Sequence, residues 1–214
     1  FDIVAPANRI RSLCRAFFAL LPSRVYPILD MLGEDAFREV DPYIAYDPAP
    51  LDRFLRPGVK LDFSHLPNGH VVTAAELEDA FVKINYELQP LDIVLIQSGA
   101  VYGTDSFTDQ GVGLGAEATL WLTERGVEVV GTDAWSWDAP FSHTAKRWAE
   151  TRDPKIIWEG HKAGRIRPYY QIEKLTNLEA LPSHGFTFSC FPVKIERASA
   201  GWIRAVAIIE SDTK

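Results

Sequence analysis

The chain has 214 residues, 47% of them hydrophobic and 24% charged, and a formal net charge of −7. These values suit a globular protein with one core of α/β size, and they exclude a nucleic-acid binder built on a basic surface, because phosphate binding needs clustered Lys and Arg. The two cysteines, Cys14 and Cys190, stand far apart and outside any C-x-x-C pair, which argues against a disulfide scaffold and leaves buried thiols as the expectation.

Near the start, Ile10, Leu13, Phe17 and Leu20 recur at helical spacing. The spacing predicts an amphipathic helix over residues 7–21, with Asn8 as its cap. The apolar stretch from Ala16 to Leu21 is too short to cross a bilayer. Asp2 and the helical spacing fit that helix better than a secretory leader, so the expected location is cytoplasmic, with no membrane partner. From Ser23 onward, Pro27, Pro42, Pro48, Pro50 and Pro57 interrupt any long element. Residues 1–56 are therefore expected to form a helix and an irregular arm, and residues 57–214 the α/β core of one structural domain.

The core then develops in order. Val59 to Phe63 alternates as a short strand. Thr73-Ala-Ala-Glu76 has the form of a capping box, and Leu77, Phe81, Ile84 and Leu88 follow as one face of a helix that Pro90 ends. Leu91 to Gln97 is a continuous apolar run, as expected of a strand covered on both faces. A polar, Gly-rich loop spans Ser98 to Gly113, a helix runs from about Ala116 to Arg125, and Gly126 suits its left-handed stop. Val127 to Val130 is the next strand. Strand, helix, strand predicts that 91–97 and 127–130 are parallel neighbours. Gly185 to Ile195 and Trp202 to Ile209 are β-rich runs expected to pair as an antiparallel hairpin. The predicted fold is thus mixed α/β: a mixed sheet with a β-α-β unit and a C-terminal hairpin.

Chemistry concentrates in two places. The loop after Val130 carries Asp133, Trp135, Ser136, Trp137 and Asp138. Loops at the carboxyl ends of parallel strands line ligand crevices, so these five are candidate substrate-binding residues. The alternative is that Asp133 and Ser136 cap turns and the indoles fill the core. Further on, His161 and Glu173 stand twelve residues apart, a spacing that matches no compact metal motif. Alone it reads better as a surface His and a helix Glu. His65 and His70 flank Leu66-Pro67-Asn68-Gly69, a turn sequence, and are expected to serve turn or core. Gly111-Val-Gly113-Leu-Gly115 lacks the Lys-Ser of a phosphate loop and reads as a tight turn into a helix. Cys190 has no nucleophile motif around it. Trp135, Trp137, Trp148 and Trp158 either stack on a flat substrate or form a subunit interface.

Several blocks in one order resemble the cyclase (kynurenine formamidase-type) family of metal-dependent hydrolases. They are Leu61-Asp-Phe-Ser-His-Leu-Pro-Asn-Gly-His70, Gly111 to Thr119, the pattern Gly131, Asp133, Ser136, Asp138, the pair His161 and Glu173, and Ser189-Cys-Phe-Pro-Val-Lys-Ile195. The resemblance implies that His161 and Glu173 bind a divalent metal, zinc or manganese, and that a metal-activated water hydrolyses an amide, cyclic amide or ester. It also implies a small aromatic substrate and a homo-oligomer. One departure stands out: the family's string H-x-G-T-H-x-D-x-P-x-H does not occur, and residues 25–55 occupy its place. Either the motif is lost or an internal segment is missing from this chain. No acid–base residue is assigned, since the family's lies in that string. The competing expectation is a repurposed scaffold that binds a small aromatic ligand without a metal.

Overall fold

The computed structural model describes residues 10–12, 50–195 and 200–210. In chain order the elements are β1 (Ile10–Ser12), β2 (Leu55–Asp62), β3 (Val71–Val72), α1 (Ala74–Lys83), β4 (Ile93–Gln97), β5 (Gly113–Leu114), α2 (Ala116–Glu124), β6 (Val129–Thr132), α3 (Phe141–Thr151), α4 (Glu159–Ala163), β7 (Tyr170–Ile172), β8 (Phe186–Ser189) and β9 (Val206–Ile209). Among the described residues, seven strands form one mixed sheet in the order β1-β9-β8-β2-β4-β6-β7. The half from β2 to β7 is parallel and the half from β2 to β1 antiparallel.

The expected β-α-β unit is present, with Ile93 opposite Val129 and Ile96 opposite Thr132 in parallel register. The expected C-terminal hairpin is also present, Phe186 pairing with Ile209 and Ser189 with Val206. One expectation is corrected. Residues 10–12, placed inside a helix by their spacing, form β1 and pair antiparallel with Val206 to Ile208. An edge strand presents unpaired amides and carbonyls, and satisfying them outweighs a weak helical propensity. The rest of that helix, Cys14, and the proline-rich arm as far as residue 49 lie outside the described residues.

The apolar runs of the central strands alternate between two cores. Ile93, Leu95, Val129 and Ile172 join Phe186, Phe188 and Cys190 on one face of the sheet. Val94, Ile96 and Val130 join Leu77, Phe81, Leu122 and Trp137 on the other. Helix α1 starts at the capping box: the Thr73 hydroxyl accepts from Glu76 N, and the Glu76 carboxylate accepts from Thr73 N at 2.8 Å. It ends at Lys83, earlier than its apolar spacing suggests, because Asn85 takes a left-handed φ of 52°. Ile84 and Leu88 still pack on the core, from non-helical backbone.

Two short elements set up the functional face. Strands β3 and β5 make a small parallel pair, and β5 lies backbone to backbone against the loop after β6. A Cβ on Gly113 would sit 1.9 Å from the Ala139 nitrogen, and Leu114 N donates to Trp137 O at 2.9 Å. The Gly-rich stretch 111–115 thus serves close approach. The first amide of α2, Ala116 N, is taken by the Glu159 carboxylate at 3.3 Å.

Candidate functional site

The parallel strands end at Asp62, Gln97, Thr132 and Ile172, and the residues that follow, Ser98, Asp133 and Glu173, line up at that edge. This is the carboxyl edge, where open α/β sheets bind ligands. Asp133 is buried and accepts from Ser98 N at 2.7 Å, tying the β6 loop to the β4 loop. Burial pushes its carboxyl above the usual range, and the hydrogen bonds from Ser98 oppose the rise without cancelling it.

His161 and Glu173 come together. Nε2 of His161 lies 3.9 Å from Oε1 of Glu173, although the two residues sit on different elements, α4 and the end of β7. Oε1 of Glu173 accepts from Trp137 N at 3.2 Å, and Oε2 faces the ammonium of Lys174 at 3.0 Å. Lys174 has a left-handed φ of 63°, donates from Nζ to Trp135 O at 2.8 Å and stands 4.4 Å over the Trp135 ring. Both charged side chains are largely out of water, so neither is screened as a surface pair would be.

The other ring nitrogen of His161 is equally engaged. Nδ1 is 2.5 Å from Oδ2 of Asp138, and Oδ1 of Asp138 accepts from Gly160 N at 2.7 Å. Burial alone would lower the imidazole's pKa, but the Asp138 hydrogen bond and charge, with Glu173 nearby, raise it above the ordinary histidine value.

The five loop residues part company. Trp135 is half exposed, with Phe107 edge-on at 6.0 Å and Tyr102 edge-on to Phe107 at 5.3 Å. Trp137 is 1% exposed, fills the core and donates Nε1–H to Thr119 Oγ1 at 2.9 Å; its backbone amide, not its ring, reaches Glu173. Asp138 is buried with both oxygens bonded to the α4 side, while Ser136 is half-buried. Trp158 lies 5.9 Å from the His161 ring, and Trp148 carries Arg152 at 4.6 Å. His70 bonds Glu76 through Nε2 at 2.9 Å, and His65 is exposed, as turn and cap residues would be. Burial pushes the Cys190 thiol up to about 12, leaving it inert at neutral pH.

Three site residues were not found in the sequence: Gln171, Tyr169 and Lys174. Gln171 Nε2 lies 2.5 Å from His161 Nε2, and Tyr169 OH lies within 3.1 Å of Gln171 Oε1. Tyr169, Gln171 and Glu173 alternate with Tyr170 and Ile172, which pack on the core. That period of two was the available signal.

The chemistry of the donors fits part of a divalent-ion site. An imidazole whose Nδ1 is held by a carboxylate offers Nε2 outward, a recurring arrangement of metal-binding His, and the Glu173 carboxylate faces the same space. Among the described residues no group of three or more His, Cys, Asp or Glu side chains could hold an ion, and Asp138 lies behind the ring rather than beside Nε2. Catalytic zinc takes three protein ligands, so His161 and Glu173 fit as two of them.

Comparison with known proteins gives the context. No curated protein matches the chain. Among solved structures, isatin hydrolase A from Ralstonia solanacearum is 24% identical with a TM-score of 0.65, covering 81% of this chain and 66% of that one. An isatin hydrolase bound to the product analogue thioisatinate is 17% identical with a TM-score of 0.62, covering 81% and 67%. A structure described as a potential metal-dependent hydrolase with cyclase activity is 18% identical with a TM-score of 0.58, covering 81% and 75%. The chain thus spans about two thirds of the length of the isatin hydrolases it resembles, and at these identities they share its fold. A family profile described as "Putative cyclase" matches residues 30–139, half of the sequence. With the mixed sheet and the ordered blocks that carry the resemblance, the match makes this chain a member of the cyclase family.

Proposed function

We propose that this chain is a metal-dependent hydrolase that opens an amide, cyclic amide or ester bond of a small aromatic substrate. The observation that carries the reading is the approach of His161 Nε2 to Glu173 Oε1, 3.9 Å apart at the carboxyl edge of the parallel strands. His161 and Glu173 would supply two of the ligands of a zinc or manganese ion. When bound, the ion supplies Lewis acidity at the scissile carbonyl. The chain's own residues do the rest. Asp138 orients His161, Trp137 N fixes one Glu173 oxygen, and Lys174 steadies the other. The half-exposed Trp135, backed by Phe107, offers a flat face to an aromatic ring, and Asp133 and Ser136 shape the loop around it. The isatin hydrolase structure with a thioisatinate product analogue supports an aromatic, cyclic-amide type of substrate.

A cytoplasmic, homo-oligomeric protein built as one domain is part of the same reading. Phe191, Val193, Ile195 and Trp202 are exposed on the C-terminal hairpin, which supports association. No helix among the described residues is long and apolar enough to cross a membrane.

A second reading has its own support. The Lys174 ammonium already neutralises Glu173 at 3.0 Å, as it would in a scaffold repurposed to bind an aromatic ligand without a metal. Calorimetric titration of the chelator-treated full chain with Zn²⁺ and Mn²⁺ separates the two. The hydrolase reading expects saturable binding that His161→Ala and Glu173→Ala each abolish, together with release of a carboxylate from aryl formamides or cyclic aryl amides. No saturable binding, or binding unchanged in His161→Ala, refutes it.

A further inference from the structure

A second cleft lies at the other end of the sheet. Gly58 stands opposite Ile93, the first residue of β4, so this end of the parallel strands is their amino edge, while Glu173 follows β7 at the carboxyl edge. The cleft runs between Gly58, Tyr86, His184 and Glu210 and has a volume of about 380 Å³, within the range of about 300–1,000 Å³ that small ligands occupy.

Its walls are aromatic and fixed. Asn85, at a left-handed φ of 52°, turns the chain at the end of α1, and Tyr86 N closes the turn on Phe81 O at 3.1 Å. The Tyr86 ring lies 5.1 Å from the His184 ring, tilted by 36°. The Tyr86 hydroxyl donates to Oδ2 of Asp92 at 2.9 Å, and Gln89 N donates to the same oxygen at 2.8 Å. Asp92 is 2% exposed, so it anchors the ring from inside the fold. Gly58 and Phe186 are buried and close the inner end. The Phe186 ring packs on bare β2 backbone, since a Cβ on Gly58 would overlap it. At the mouth, Gly185 takes a φ of 83° and has nothing within 4 Å of where a Cβ would sit.

The charge of the cleft has one sign. The described lining holds one carboxylate, the exposed Glu210, and no Lys or Arg. A second carboxylate, Asp92, stands behind Tyr86. A phenol that donates its hydrogen to a carboxylate carries more negative charge on its ring face, and that face attracts cations. Burial and the hydrogen bond to Asp92 push the Tyr86 hydroxyl up to about 12, so it remains a donor at neutral pH. An anion in this cleft would meet a carboxylate and no counter-ion.

We propose that the cleft is a binding site for a small organic ammonium ion, its charge attracted by Glu210 and the Tyr86 ring and its apolar body lodged toward Phe186. The site stands apart from the hydrolase reading, because it lies at the opposite end of the strands and uses none of the residues assigned there.

The test is an NMR titration of the ¹⁵N-labelled full chain with benzyltrimethylammonium, and with benzyl alcohol and benzoate as its neutral and anionic counterparts. The cation is expected to give saturable shifts at the Gly185 and Thr187 amides, with a Kd of about 1–10 mM, as suits a ligand of this size. Both counterparts are expected to bind there more weakly or not at all. Glu210→Gln is expected to weaken the cation roughly 2–5-fold, the worth of one exposed ion pair. Tyr86→Leu is expected to weaken it by about 2–5-fold, the worth of one exposed cation–π contact. If Tyr86→Leu does not fold, Glu210→Gln and the selectivity of the wild type decide. Equal binding of benzyl alcohol or benzoate, an unchanged Kd in Glu210→Gln, or shifts at Gln171 and Glu173 with none at Gly185 and Thr187 overturns the proposal. So does the lack of a saturable shift at concentrations about tenfold above the expected Kd. The readout involves neither metal nor hydrolysis, so this reading and the hydrolase reading fail separately.

Discussion

Replacing Lys174 by Met, alone and together with Glu173→Gln, measures how the site balances its charge. The two side chains are 9% and 7% exposed, with Nζ 3.0 Å from Oε2. At that separation the attraction is roughly 5 kcal/mol at an effective dielectric of about 20, set against the cost of drying both ions. Lys174→Met keeps the length of the side chain and removes its charge, leaving a buried carboxylate without its nearest cation. The expected loss is about 3 kcal/mol, which for a chain of this size lowers Tm by roughly 6–12 °C. Glu173→Gln alone should cost less, about 2 kcal/mol, because Lys174 keeps the Trp135 carbonyl and ring. The double variant removes both charges, so its loss should fall at least about 2 kcal/mol short of the sum of the singles. Urea denaturation of chelator-treated protein reads all four corners of the cycle. If the single losses add within about 0.5 kcal/mol, the pair is not coupled and the account of the site's electrostatics is wrong.

Two further outcomes are expected. Gly113→Ala should destabilise by about 2 kcal/mol, because its new Cβ meets backbone atoms of Asp138 and Ala139 that no rotamer change can move; a loss under about 0.5 kcal/mol in urea denaturation would contradict the close approach. Glu76 has its carboxyl below the usual range, since the hydrogen bonds from Thr73 and His70 outweigh the rise that burial alone would cause. Its stabilisation is full above the unfolded value of 4.5 and is lost as pH falls through the lower folded value. The Tm gap between wild type and Glu76→Gln should therefore shrink on acidification below that point; a constant gap would refute the capping-box role.

What the sequence disclosed follows from which signals are local. The apolar run 91–97, the Thr73 to Glu76 box, Gly126 and the hairpin are short-range patterns, and each produced the element expected of it. Residues 10–12 failed because their strand exists only by pairing with β9, nearly two hundred positions away. At the site, His161 and Glu173 were reached through the resemblance and are adjacent in space. Asp138 was found, but as a residue facing substrate; its bonds to Gly160 and His161 depend on where α4 packs, which no local pattern encodes. Trp137 could not be told from Trp135 in the sequence. The loop's path along β5 turns one indole into the core and leaves the other out.

Among the described residues, strand β7 ends the sheet and pairs through three residues, Tyr170 to Ile172 with Val129 to Gly131. Tyr169, Gln171 and Glu173 all ride on this one short ribbon. Backbone amides at the rim of a sheet open far more often than the molecule unfolds. Each brief opening of β7 would carry away Glu173, Gln171 and Tyr169 in one motion, while the central strands stay closed. Hydrogen exchange at Gln171 and Ile172 would then time the assembly and disassembly of the site itself.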